Sequence, residues 1–389
     1  MRVKPRYQAF AATRTALIAI GYLTLTLFPV HPVESWMGQS FPDHAWIDGF
    51  VRWDSFWYQA IVDPQPRFLP VGYSHANFFP LYALVSWVVA LPFRAFFDLE
   101  HAFFIGALIV SSLSFLLGLK AVERIATRLA GADVAGRAVW LIAVFPFSFF
   151  LTAVYADALY FCLCAWSLAL ALEGRWYAAC GLAVMAALTR IPGMALVPAL
   201  GLEYLRQQGW RIGRPRQALI CVAILAIAPI AIASYYEWRY GNPMEFLRAR
   251  QAGWNRASGI QGYVRDYNYF FARPMLPCSG IAECLKEFAP TRVLLGATYL
   301  ALLPISAALV LINRRRLGVA LTAWVLGSIL MSLPNGFDGV GRFTAVLFPA
   351  FISAAILLRN RIAFTLVCAA CVPFLLLFFA QFARWRQVL

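Results

Sequence analysis

Apolar residues run along the chain in blocks too long and unbroken for the half-buried elements of a soluble domain. The blocks cover residues 16–30, 102–119, 138–155, 158–172, 177–189, 194–205, 218–236, 293–312, 317–333, 343–358 and 363–382. A membrane span needs about 20 apolar residues, or fewer where a helix is broken or the bilayer thins. The pattern predicts an all-α, polytopic transmembrane bundle of about 9–11 membrane helices. We read 1–389 as one membrane unit with two elaborated outer loops, 31–77 and 237–290. A further apolar stretch, 78–97, is short and rich in Pro and Trp.

The polar punctuation orients these blocks. Lys120, Arg124, Arg128 and Arg137 follow one block, and Glu173–Gly174–Arg175 another. Arg206, Arg211, Arg214 and Arg216, then Arg314–Arg315–Arg316, then Arg359 and Arg361 follow others. Cytoplasmic loops concentrate Lys and Arg. All these clusters fall on the cytoplasmic side if 78–97 is an interfacial or half-inserted helix, and not if it crosses. The first alternative is therefore expected. One pair disagrees: Arg384 and Arg386, after the last block, would then fall outside. Arg2, Lys4 and Arg6 before the first block fit a signal peptide or a retained span; no small-residue cleavage site follows, which favours the span.

Composition agrees with the bilayer as solvent: 62% of residues are hydrophobic and only 13% charged, where soluble domains carry roughly 25% charged residues. The net charge of +15 sits in short clusters between apolar runs, not along one basic face, which argues against a nucleic-acid partner. Of the 8 cysteines, Cys162, Cys164, Cys180, Cys221, Cys368 and Cys371 lie in apolar runs. Cys278 and Cys284 lie in the second outer loop, where an oxidising compartment permits a disulfide without requiring one. No Cys/His spacing resembles a zinc site.

Unusual residues gather on the outer side. In Arg52–Trp53–Asp54–Ser55–Phe56–Trp57–Tyr58–Gln59–Ala60–Ile61, helical spacing places Trp53, Trp57 and Ile61 on one stripe and Asp54 with Tyr58 beside it. This predicts an amphipathic interfacial helix with a carboxylate at its N-terminal end. Asp54 also suits a cap or a partner for Arg52. Tyr73 and His75 follow. Tyr155 and Asp157 end the block that contains Pro146. Arg190 sits at a break with Pro192 and Gly193; an arginine at membrane depth faces a cavity or a partner. Arg256 lies in the second outer loop. Arg342 follows Asn335–Gly336–Phe337–Asp338–Gly339–Val340–Gly341, which reads as a flexible turn and only weakly as a phosphate cradle.

These residues, in this order, resemble the PIG-V family, the GPI second-mannose transferases and their bacterial relatives, within the GT-C glycosyltransferases. Trp53–Asp54, Trp57–Tyr58, Gly72–Tyr73 and Phe78–Phe79–Pro80 match its first-loop pattern. Pro146 to Asp157 resembles a Pro-containing aromatic stretch ending in Tyr-Ser/Thr-Glu. Thr189–Arg190 with Gly193, and Arg342–Phe343 with Phe348–Pro349, match two further motifs. The chain departs from the pattern at Asp157, where Glu is usual, and at Ala83, where Pro is frequent.

The resemblance implies an inverting transferase that moves a hexose, mannose by likeness, from a polyprenyl- or dolichyl-phosphate donor. The acceptor would be a glycan or glycolipid on the non-cytoplasmic face, in the plasma or inner membrane of a bacterium or the endoplasmic reticulum of a eukaryote. It makes Asp54 the base. It fits Arg190, Arg256 and Arg342 to the donor phosphate, and Trp53, Tyr58, Tyr73, His75, Tyr155 and Asp157 to substrate. Lipid-linked sugar, acceptor and membrane lipids are the expected partners; no cofactor is assigned, and a divalent metal is left open. The competing class is a transporter or lipid flippase, which broken helices and intramembrane arginines also suit. Paired halves, usual in that class, are not visible.

Overall fold

A computed structural model describes residues 4–28, 30, 38–64, 74–252, 259–272, 289–386 and 388. All regular elements among the described residues are helical. The chain opens with α1 (Pro5–Leu27), two short helices in the first loop, α2 (Ala45–Asp48) and α3 (Asp54–Val62), and then α4 (Pro80–Ala90). The central group is α5 (Leu99–Ala130), α6 (Ala132–Val144), α7 (Asp157–Leu172), α8 (Trp176–Thr189), α9 (Leu196–Gln207) and α10 (Pro215–Tyr240). After α11 (Glu245–Ala252) and α12 (Ile260–Tyr267) come α13 (Ala289–Ile312), α14 (Arg314–Ser332), α15 (Val340–Ala345), α16 (Phe348–Leu357) and α17 (Arg361–Ala383).

Among the described residues, 5 helices are long and apolar enough to cross a membrane: Pro5–Leu27, Leu99–Ala130, Pro215–Tyr240, Arg292–Ile312 and Arg361–Ala383. Shorter apolar segments are Pro80–Ala95, Asp157–Leu172, Trp176–Thr189 and Phe348–Leu357. The protein is a polytopic integral membrane protein. The most extensive pairings join α5 to α7, α7 to α8, α4 to α5 and α5 to α6, so α5 and α7 form the centre against which the others pack.

Several boundaries depart from the apolar blocks. The block 138–155 is not one span. Its helix ends at Val144 before Pro146, which lacks an N–H and pushes the preceding residue out of the helical region; a single turn of 3-10 helix, Ser148–Leu151, follows. The block 343–358 is split between α15 and α16, with Pro349 in the first turn of the second. The outer loop 237–290 begins inside α10 and contains α11, α12 and a π-helical turn, Asn268–Ala272. The stretch 78–97 holds a helix shorter than a full span. Its helix α4 has 11 residues, about 17 Å of rise against a core of about 30 Å. The Tyr82 hydroxyl lies 2.8 Å from Ser111 Oγ, and the chain then passes through a 3-10 turn, Leu91–Ala95, to the start of α5, where His101 Nε2 meets the Ser40 carbonyl of the first loop at 2.8 Å. Its far end therefore lies beside the first loop from which it departs.

The bundle has two unlike ends. At one, Arg6 pairs with Glu123, Arg124 Nε donates to Glu173 at 2.5 Å, Arg137 Nε donates to Ala355 O at 3.3 Å and Asn313 Nδ2 donates to Ser353 Oγ at 2.7 Å. These contacts gather the basic clusters of α1, α5, α6, α13, α14 and α16 on one side. At the other end lie the first loop, the broken segments and the C-terminal tail. Arg52 Nε donates to Ala383 O at 2.7 Å, Trp385 Nε1 to Gly38 O at 3.1 Å and Tyr299 Oη to Val388 O at 2.8 Å. Arg384, an exception to the charge pattern, stacks 5.3 Å over Phe28 and belongs to this packed tail.

Candidate active site

The first loop sets the site's first residue by backbone geometry. Trp53 has φ 52, a left-handed conformation that an L side chain adopts only when its surroundings impose it. The imposing group is Arg52, fully buried at 0% exposure. Arg52 Nη1 donates to the carbonyls of Asp48 and Val51, each at 2.7 Å, and Nη2 pairs with the Asp48 carboxylate. Arg52 therefore partners Asp48, not Asp54. The sharp turn at Trp53 starts α3 at Asp54. Asp54 to Ala60 are all buried, so the helix expected to lie half-exposed in the interface is covered on every side.

Asp54 is met by two segments from elsewhere, and a third joins them through Asp157. Its backbone N–H donates to the Tyr155 hydroxyl at 3.2 Å, and Arg342 Nη1 donates to Asp54 Oδ2. Arg342 Nε stands 3.0 Å from Asp157 Oδ2; that N–H is not aimed at the oxygen, so the contact is electrostatic. Arg190 Nη1 donates to Asp157 Oδ1. The result is an alternating chain, Asp54–Arg342–Asp157–Arg190. The Arg342 guanidinium lies 4.8 Å over the Tyr155 ring, and that of Arg190 5.8 Å over Tyr160, within the range of cation–π attraction.

Each of the three segments is non-helical for a visible reason. The 145–152 segment exposes carbonyls that lipid would leave unpaired. Buried Arg14 of α1 meets them, donating to Ser148 O at 3.0 Å, Ala143 O at 3.3 Å and Thr152 Oγ1 at 2.6 Å. The break after α8 runs through extended Arg190 into a 3-10 turn, Ile191–Ala195. A Cβ on Gly193 would approach Ala187 N to 2.4 Å, so only glycine lets the turn fold back on its helix. In the 335–341 stretch, Asp266 Oδ2 accepts from the backbone N–H groups of Phe337 at 2.8 Å and Asp338 at 2.9 Å. This glycine turn does cradle an anion, but the anion is a carboxylate of α12.

These segments enclose a cavity with about 230 Å³ open to water-sized occupants. Its polar lining is Asp54, Tyr58, Asn77, Thr189, Arg190, Ser332, Asp338 and Arg342; its apolar lining includes Phe78, Phe79, Ile191, Phe246, Leu247, Met331 and Phe343. Depth follows from helix length. α7 has 16 residues and α8 has 14, about 24 and 21 Å of rise. Both begin or end at the basic face, through Glu173 and Trp176, so their site ends stop short of a core about 30 Å thick. The charged chain is thus recessed below the far boundary.

Of the residues singled out from sequence, Asp54, Tyr58, Arg190 and Arg342 line the cavity, while Tyr155 and Asp157 stand behind it. Trp53 and His75 are not among its lining residues. Trp53 packs on Trp385 at 5.5 Å, and His75 on Tyr240 at 5.7 Å. Burial, and then Arg239, lower the His75 pKa. Tyr73 and Arg256, with Gly72, Cys278 and Cys284, lie outside the described residues. Sequence reasoning missed Arg14, although it carries the signal that exposed Arg190, an arginine among apolar neighbours. It also missed Asp266, Phe246 and Leu247, for which the chain offers no local signal. Among the described residues, no group of three His, Cys, Asp or Glu side chains converges.

Broken helices meet at one end of an all-helical membrane bundle, around a cavity, and this fold is shared with solved structures. Two solved structures carry the comparison. ArnT from Cupriavidus metallidurans bound to undecaprenyl phosphate matches with a TM-score of 0.51 and 15% identity, over 92% of this chain and 61% of that one. The Archaeoglobus fulgidus oligosaccharyltransferase in complex with Zn and sulfate matches with a TM-score of 0.50 and 16% identity, over 97% of this chain and 53% of that one. The chain spans less than two thirds of either neighbour. Neither a family model nor a curated sequence matches it.

Proposed function

We propose that this protein is an inverting glycosyltransferase that takes a hexose, mannose by the PIG-V resemblance, from a polyprenyl- or dolichyl-phosphate donor. It delivers the sugar to a glycan or glycolipid acceptor on the non-cytoplasmic face. The observation that carries this reading is the Asp54–Arg342–Asp157–Arg190 chain opening on a recessed cavity. A carboxylate for a proton and two guanidiniums for a phosphate are the parts such a transfer needs.

The acceptor hydroxyl attacks the anomeric carbon as the bond to the phosphate oxygen breaks on the opposite face. Asp54 takes the hydroxyl proton, and the lipid phosphate leaves with the bonding pair. A phosphate departs without a strong general acid, so one carboxylate suffices where glycosidases need two. Arg342 and Arg190 donate to the charge that builds on the phosphate. The apolar wall from Phe79, Ile191, Phe246 and Met331 suits a lipid carrier. The non-cytoplasmic placement is supported by the basic clusters collected at the opposite end.

The test is incubation of membranes containing the protein with labelled polyprenyl-phosphate mannose, followed by analysis of the products. Transfer by the wild type that disappears in Asp54→Asn, with the variant still folded, is the expected result. Near-normal turnover in that variant would reject the base assignment.

A further inference from the structure

Asp157 occupies a place in this site that its sequence position does not suggest. Its side chain is 0% exposed, whereas the side chains of Arg190 and Arg342 keep 18% and 15%. The two arginines line the cavity and Asp157 does not. They arrive from separate elements, one at the end of α8 and one in α15, and two guanidiniums brought together repel, more strongly as the surrounding dielectric falls. A carboxylate set between them reverses that sign. Asp157 divides its oxygens accordingly, Oδ1 accepting from Arg190 and Oδ2 lying 3.0 Å from Arg342. As the first residue of α7 it is also held at fixed depth by that helix.

We infer that Asp157 is a positioning residue: a buried strut that keeps Arg190 and Arg342 paired and facing the cavity for the donor phosphate, touching neither substrate itself. This inference rests on the lipid-phosphate reading above. It departs from the expectation that Asp157 contacts substrate. Charge alone predicts the opposite behaviour. Removing a carboxylate from a site that takes an anion should tighten binding, whereas removing a strut should loosen it.

The test uses the full-length protein in detergent micelles, titrated with a sugar-free polyprenyl phosphate and read by tryptophan fluorescence. Partners that orient a binding group are worth about 10- to 100-fold in affinity at metal sites; the lower figure, about tenfold weaker binding, is expected for Asp157→Asn. Asp157→Glu, which keeps the charge, should stay within about threefold of wild type. In turnover, Asp157→Asn should raise the donor KM and leave the acceptor KM unchanged. Wild-type or tighter phosphate binding by Asp157→Asn overturns the strut. If that variant does not fold, a tenfold loss in Asp157→Glu overturns it equally. A wild-type protein that binds no polyprenyl phosphate overturns the donor reading itself, a result distinct from both.

Discussion

The two ends of the bundle handle arginine in opposite ways. At the basic end, each arginine in an ion pair has a single carboxylate; Arg124, in its bond to Glu173, is still 50% exposed, and Arg6 is buried against Glu123 alone among the acidic groups. At the site end, α7 and α8 stop early, and Arg342 and Arg190 are drawn under the surface into a chain with two carboxylates. The same residue type marks orientation in one place and builds chemistry in the other. Helix length makes the difference. A helix that stops short leaves a recess, and a charge in a recess needs a partner or a ligand.

The contrast fails altogether if the two ends share one side of the membrane. With the 8 cysteines replaced, Asp43→Cys at the site end should react fully with an impermeant thiol reagent added outside intact cells. Arg315→Cys should react only after permeabilisation, and the reverse pattern would sink the orientation. Next in size, Asp54→Asn should lower the transfer rate by about 10²–10⁴-fold; Arg342 keeps Asp157 as a partner, so this variant should melt higher than Arg342→Gln. Arg342→Gln should lower the rate by about 10²–10³-fold. That variant also strips a partner from both Asp54 and Asp157, and breaking a buried pair in this way costs about 3–5 kcal/mol, readable as a lower melting temperature in detergent. Gly193→Ala removes no charge but drives a methyl into the α8 backbone; a loss of about 1–3 kcal/mol is expected, again by melting. Smallest of all, Arg124→Ala at the opposite end should change stability by less than about 1 kcal/mol and leave turnover untouched. A large loss there would erase the distinction between the ends.

Much of the site was legible because membrane depth makes polar residues conspicuous. Asp54 stood out in an aromatic run, and Arg190 beside a Pro-Gly break. Arg342 stood out at the end of a glycine stretch. What stayed hidden was pairing. Arg52 and Asp54 are two residues apart, and their proximity invites an ion pair, yet Arg52 is committed to Asp48 and to carbonyls of the loop and α17. The glycine stretch looked like a phosphate cradle or a loose turn, and its amides hold Asp266, a residue with no motif around it. Apolar runs likewise gave no notice that 138–155 would break at Pro146 and be held by Arg14.

Read alone, then, the order of residues determined the solvent, the helical class and the charge asymmetry. Each follows from local composition, because lipid demands satisfied backbone and apolar surface wherever the chain passes. Tertiary structure alone decided which carboxylate met which guanidinium, and that Asp157 would stand behind the cavity instead of in it. Those contacts join Asp54 to Arg342 across 288 positions and Asp157 to Arg190 across 33, through elements that only the fold brings together. Side-chain charge fixes that each buried ion must find a partner, whether an opposite charge or, as at Arg14, carbonyl and hydroxyl oxygens, and only the packing of the helices fixes which one it finds.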